Sequence, residues 1–233
     1  MNLYYITGAS SGIGQAMAHL LLENEDNMVV GISRSCTITH SRYKHHAIDL
    51  SAPWKDTIFE RPKFQAKKIV LINNAGGIGP IKPLGHHTED EITENYYLNV
   101  IAPTILCQQF ISVFRESTSE RIVLNISSGA GKHPIHSWST YCSSKAALDM
   151  LSLTADLEHP NVKFYSVAPG IVDTPMQQEI RQADKAHFPE LERFIDYKHN
   201  GDLSSSEDVA HKYIHFLENS HQYNEVLYSV RDF

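Results

Sequence analysis

The chain has 233 residues, 42% of them hydrophobic, enough to bury one sizeable core as a single α/β domain. Its formal net charge is −7 and its lysines and arginines are scattered, which argues against nucleic acid or an anionic membrane surface as a partner. Three cysteines (Cys36, Cys107, Cys142), odd in number and without metal-type spacing, predict reduced thiols; the opening MNLYYITG lacks a basic leader and no apolar run nears the ~20 residues of a membrane span, so a soluble cytoplasmic protein is expected.

Strand-like runs fall at 3–7, 28–33, 45–48, 68–73, 121–127, 162–168 and 225–230, most of them short, rich in Val and Ile and apolar on both faces. Helix candidates lie between them at 13–24, about 51–60, 89–117, 140–158 and 206–219. The alternation predicts a doubly wound Rossmann fold: a mostly parallel seven-stranded sheet with helices on both faces, one domain over 1–233. Residues 173–205 carry two short amphipathic segments after a Pro-Gly turn and no strand, which predicts a lid. His211 and His215 stand four apart on a predicted helix, but no Cys, Asp or Glu completes a ligand set, and no metal is expected.

The first strand runs into TGASSGIG, where Gly8, Gly12 and Gly14 let the backbone turn sharply and approach a pyrophosphate, with Ser10, Ser11 and Ile13 in the same turn. That turn predicts a dinucleotide site. The second strand ends in GISRS, where Arg34 stands in place of the carboxylate that would bind the ribose 2′-hydroxyl of NAD, so NADPH is expected over NADH. Asp49, followed by Leu50, is placed either to accept from the adenine amino group or to cap the next helix. Asn74, Ala75 and Gly76, in NNAGG after the fourth strand, are small residues at the sheet edge where ligands bind. Ser127 and Ser128 end the fifth strand with alternating side-chain directions, so one faces the edge and the other the helix layer. Tyr141 and Lys145, in YCSSK, share one helical face four residues apart, which would set an ammonium beside a phenol and favour phenolate.

TGASSGIG, NNAG, YLNVIAP, NISSG, YCSSK and PGIVDT occur in the order found in short-chain dehydrogenases/reductases, and the resemblance covers nearly the whole chain. It implies that Tyr141 donates the proton, Lys145 lowers the tyrosine pKa and holds the nicotinamide ribose, Ser128 binds the substrate carbonyl, and Asn99 supports a water relay. It also implies that Pro169, Gly170, Val172 and Thr174 hold the nicotinamide carboxamide, and that family-type pairing through 95–117 and 140–158 makes a homodimer or homotetramer. The strand-end arginine and the ending LYSVRDF look like the sepiapterin reductase and bacterial benzil reductase branch, which implies NADPH-dependent reduction of a small hydrophobic carbonyl compound such as an aromatic 1,2-diketone. Ser11 stands where many NADPH-using relatives carry a basic residue, leaving Arg34 as the main expected 2′-phosphate ligand. Alternatives are reduction of a 3-oxoacyl, pterin or sugar carbonyl, or a non-catalytic NADP-binding redox sensor. Substrate contacts are expected from 77–85, from 132–138 with Trp138, and from Met176, Phe188, Phe194 and Tyr197 of the lid, all of which could equally be lid core.

Overall fold

The computed structural model describes residues 1–55 and 57–233. Seven strands, β1 (Asn2–Thr7), β2 (Asn27–Ser33), β3 (Tyr43–Ala47), β4 (Lys68–Asn73), β5 (Glu120–Ile126), β6 (Lys163–Ala168) and β7 (Leu227–Ser229), form one sheet in the order β3-β2-β1-β4-β5-β6-β7. All six pairings are parallel, so the expected doubly wound sheet is present and has no antiparallel edge.

Side-chain alternation along the strands builds two cores. Tyr4 and Ile6 of β1, Val70 and Ile72 of β4 and Tyr165 and Val167 of β6 face helices α1 (Gly12–Glu23) and α7 (Ser206–Glu218). Leu3, Tyr5, Ile69, Leu71 and Phe164 face the other way, onto α3 (Ala102–Val113) and α4 (Ser139–Glu158). Because the chain winds outward through β2 and β3 and then returns to β4 on the far side of β1, the crossovers leave opposite faces there and open a crevice at the carboxyl edge.

Two expectations need correction. No helix forms over the described part of 51–60: prolines 53 and 62 leave eight residues between them, too few to hold a helix alone, and the chain instead lays Ile58 and Phe59 directly on the second core. Phe59 packs edge-on to Tyr5, Phe110 and Phe114 there. The helix expected over 89–117 is divided into α2 (Glu89–Tyr96), one π-helical turn (Tyr97–Ile101) and α3.

The predicted lid is a separate unit on the carboxyl edge, comprising α5 (Pro175–Arg181) and α6 (Leu191–His199). A bridge between Val172 and Ser204 brings its two ends together. Its third apolar cluster contains Ile180, Phe188, Leu191 and Phe194 and extends to Trp138 and Tyr141.

Candidate active site

The β1–α1 turn is shaped by what has no room for a side chain. Gly8 and Gly12 have φ of 67° and 54°, in the left-handed region that favours glycine. A Cβ on Gly8 would lie 2.9 Å from Asn74 Nδ2 and 3.1 Å from Ala75 Cα, and one on Gly14 would lie 2.5 Å from the Gly8 carbonyl oxygen. The turn is stitched to the loop after β4: Thr7 Oγ1 accepts from the amides of Asn74 and Ala75 at 2.9 and 2.8 Å, and Asn74 Nδ2 donates to the Thr7 carbonyl at 2.9 Å. No side chain caps the first turn of α1, so its N–H groups face the crevice, where an anionic group is favoured.

A cleft of about 880 Å³ runs from this turn to the lid. Its cofactor-side wall contains Gly8, Ser10, Ser11, Gly12, Ile13, Arg34, Asp49, Leu50, Asn74, Ala75 and Gly76, and further along Pro169, Gly170, Val172 and Thr174. At its inner end stand Ser128, Tyr141 and Lys145. Of the residues expected to bind the cofactor or to act in catalysis, Gly14 and Asn99 are outside the wall. Gly14 provides the close helix-to-loop packing just described. Asn99 is 1% exposed in the π-helical turn, its Oδ1 accepting from the Gly77 amide at 3.1 Å and its Nδ2 donating to the Gly77 carbonyl at 2.9 Å. Its side chain therefore shapes the loop that carries Gly76 and Gly77.

Arg34 and Asp49 are both exposed at the mouth of the cleft. The Asp49 carboxylate is held below its usual range by hydrogen bonds from the Ser51 amide and hydroxyl, with Arg34 adding a smaller pull in the same direction. With the expected helix absent, Asp49 caps a turn. The guanidinium at one end, the uncapped helix terminus in the middle and bare glycine backbone between them fit a dinucleotide and its pyrophosphate.

The chemistry at the inner end differs in one respect from the sequence expectation. Lys145, 4% exposed, donates from Nζ to the Ile126 carbonyl at 2.8 Å and lies 5.8 Å from the centre of the Tyr141 ring. Burial is the larger effect on both groups: it pushes the Tyr141 phenol up to about 12, against a hydrogen bond with Ser128, and pulls Lys145 down to about 8, against the charge of Asp149. The protein alone thus keeps Tyr141 a neutral phenol. The two serines divide as alternation requires: Ser128 reaches the cleft, while Ser127 turns to the helix layer and donates to Asp149 at 2.6 Å.

On the lid side, Met176, Phe194 and Tyr197 line the cleft with Ile135 and Trp138. Phe188 does not; fully buried, it stacks against Trp138 at 5.8 Å. Trp138 in turn meets Tyr141 edge-on at 5.7 Å. Sequence reasoning missed Arg231, which lines the cleft beside Gly170 and comes from the last residues of the chain. It also missed Asp149, whose signal was present as a lone acid four residues after Lys145 in an otherwise small and apolar stretch. Among the described residues no group of three His, Cys, Asp or Glu is placed to hold a metal, His211 and His215 are exposed on α7, and no helix is long and apolar enough to cross a membrane.

A family model of the short chain dehydrogenase matches residues 2–185. The benzil reductase ((S)-benzoin forming) of Bacillus subtilis is 37% identical over 100% of both chains, and the sepiapterin reductase of Xenopus tropicalis is 30% identical over 93% of this chain and 91% of its own. A crystal structure of a short chain dehydrogenase/reductase from Saccharomyces cerevisiae superposes with a TM-score of 0.83 at 25% identity, covering 99% of this chain and 96% of that one.

Proposed function

This chain belongs to the short-chain dehydrogenase family, and from that premise we propose that it is an NADPH-dependent carbonyl reductase acting on an aromatic 1,2-diketone of the benzil type to give an α-hydroxy ketone. The observation that carries the reading is one continuous cleft, with Arg34 at its mouth and Ser128, Tyr141 and Lys145 at its inner end under an aromatic lid. Gly8, Gly12, Asn74, Ala75 and Gly76 would hold the dinucleotide, Arg34 its 2′-phosphate, and Pro169, Gly170, Val172 and Thr174 the end nearest Tyr141. When bound, the cofactor supplies the hydride.

The residues of the chain handle the oxygen and the proton. Ser128 donates to the carbonyl oxygen where negative charge develops, and Tyr141 protonates that oxygen as it becomes an alkoxide. A phenol at about 12 is neutral at physiological pH and still far more acidic than an alcohol, so the transfer runs downhill. Lys145, near 8, is poised to return a proton to the phenolate, and Asn99 keeps the Gly76–Gly77 loop beside it. Trp138, Met176 and Phe194 supply an apolar wall for aryl groups.

The likeness to sepiapterin reductase favours a second reading, a pterin side-chain carbonyl, which places the same chemistry on a more polar substrate. We further propose a cytoplasmic homodimer or homotetramer. Exposed Met150 and Leu157, seven residues apart on one face of α4, together with Ile101 at the end of the π-helical turn, offer the apolar surface for pairing. Loss of NADPH absorbance with benzil, run beside NADH and sepiapterin, tests the assignment. Turnover with benzil and NADPH is expected; tight NADPH binding without benzil turnover would sink the diketone and leave another carbonyl substrate.

A further inference from the structure

We propose that Asp149 is a positioning residue of this reductase: a buried carboxylate that holds Lys145 as a cation at the inner end of the cleft, fixed there by Ser127 and Ser166. The proposal rests on the roles given above to Tyr141 and Lys145. Lys145 and Asp149 are four residues apart on α4 and both almost fully buried, at 4% and 7% exposure. Positions so spaced share one helical face. Asp149 Oδ1 accepts two hydrogen bonds of 2.6 Å, from Ser127 Oγ beyond the end of β5 and Ser166 Oγ on β6. Bonds of that length fix the position of the carboxylate where water does not reach it.

The surroundings show why the charge matters as well as the hydrogen bonds. One turn further along α4, Ser152 Oγ accepts from Asn125 Nδ2 at 2.8 Å, and Asn125 Oδ1 accepts from Asn73 Nδ2 at 2.8 Å. That neutral ladder seats the helix on β4 and β5 without any ion. Asp149 belongs to the same buried row across the sheet but is charged. An ammonium buried alone tends to neutralise, and a carboxylate one helical turn away favours the charged form of Lys145.

The other groups around Lys145 do not supply a counter-charge. Tyr141, one turn earlier on α4, is a neutral phenol; from β5 the Ile126 carbonyl accepts from Nζ; and from the loop after β4, Gly76 approaches with the neutral Asn99 amide behind it. On the far side, the Tyr213 phenol of α7 donates to the Val167 carbonyl. Around Asp149 itself, bare backbone closes the site, since a Cβ on Gly131 would come within 3.2 Å of Oδ2 and 3.0 Å of the Lys145 carbonyl carbon. Burial draws the lysine towards 8, and Asp149 is the charge opposing that fall.

The test is the pH dependence of NADPH binding, followed by the fluorescence of NADPH itself, together with the pH profile of kcat for benzil reduction. Wild type is compared with Asp149→Asn and with the double variant Ser127→Ala/Ser166→Ala, which removes the hydrogen bonds and leaves the charge. In Asp149→Asn the alkaline limb, expected near pH 8 in the wild type, moves to lower pH by about one unit. The serine variant melts at a lower temperature and keeps its limb. An unmoved limb in Asp149→Asn, or an equal shift in both variants, overturns the proposal. If Asp149→Asn does not fold, Asp149→Ser takes its place under the same criteria. Because the binding titration needs no carbonyl substrate, failure of benzil as a substrate leaves this test intact.

Discussion

Met176 sets its sulfur 3.9 Å from the hydroxyl of Tyr141, so the lid touches the proton donor itself. Thioether sulfur is a weak acceptor, which leaves the phenol O–H ready to turn to a stronger one such as a carbonyl oxygen. Met176→Leu, which keeps the bulk and removes the acceptor, is expected to leave kcat within a few-fold. Met176→Ala is expected to raise KM for an aryl ketone by removing wall. Steady-state kinetics of the two variants checks this; a large kcat loss in Met176→Leu would mean that sulfur orients the phenol during turnover.

Tyr141→Phe removes the hydroxyl assigned to deliver the proton while keeping the ring against Trp138. General acid catalysis contributes ~10²–10⁴-fold, and kcat should fall by that factor. NADPH affinity, read by fluorescence titration, should change little. Retained turnover would move the acid role away from Tyr141.

Arg34 is exposed, and its influence on the Asp49 carboxylate is smaller than that of Ser51, so a 2′-phosphate would not have to displace a strong internal partner. A hydrogen bond to a charged group is worth ~1.5–3 kcal/mol, and Arg34→Ala should therefore weaken NADPH binding by ~10- to 100-fold with little effect on NADH. Equal losses for both cofactors would remove Arg34 from 2′-phosphate recognition.

These expectations could be formed from sequence because several site residues are fixed by local geometry. Gly8 and Gly12 are required by backbone with positive φ, Arg34 by the end of a strand, and the Tyr141–Lys145 spacing by one helical turn. Other features depend on the assembled fold. The π-helical turn at Asn99 inserts one residue into the helix, and its only local mark is Pro103 in the first turn of α3, which the apolar periodicity of 89–117 runs straight through. The described part of 51–60 carries apolar residues at near-helical spacing yet forms no helix, and the aromatic groove between Tyr5, Phe110 and Phe114 accepts Phe59 directly. The net direction of the Tyr141 shift depends on burial, which a motif does not report.

Phe188 is fully buried behind Trp138 and Phe194, away from the cleft wall. Its replacement by alanine removes ~3–5 kcal/mol of packing, concentrated in a unit joined to the sheet domain at Val172 and Ser204. Phe188→Ala is expected to raise KM for the carbonyl substrate at least several-fold while NADPH affinity and the far-ultraviolet spectrum hold. Parallel loss of both affinities would show that the lid and the sheet domain unfold together.

The buried ionisable groups set a pH window for the fold. Burial holds Tyr4, Tyr5, Tyr43, Tyr141 and Tyr165 at about 12 against an ordinary 10.0, and Tyr213 well above it. Between pH 10 and 12 the unfolded chain releases these phenolic protons and the folded chain keeps them, so stability falls as pH rises through that range. Cys107, raised from 9.0 to about 12, adds to the fall from pH 9. Lys145 acts in the opposite sense: lowered from 10.5 to about 8, it is less protonated in the folded than in the unfolded chain between those values, and stability rises with pH there. The urea midpoint should therefore pass through a shallow maximum between pH 8 and 9 and drop steeply above 10. Tyrosinate absorbance should appear together with loss of the circular dichroism signal for these six phenols. Lys145→Met should abolish the rise between pH 8 and 9 and leave the fall above 10 in place. A midpoint that instead declines steadily from pH 7 in the wild type would mean that Lys145 is charged and well solvated in the fold.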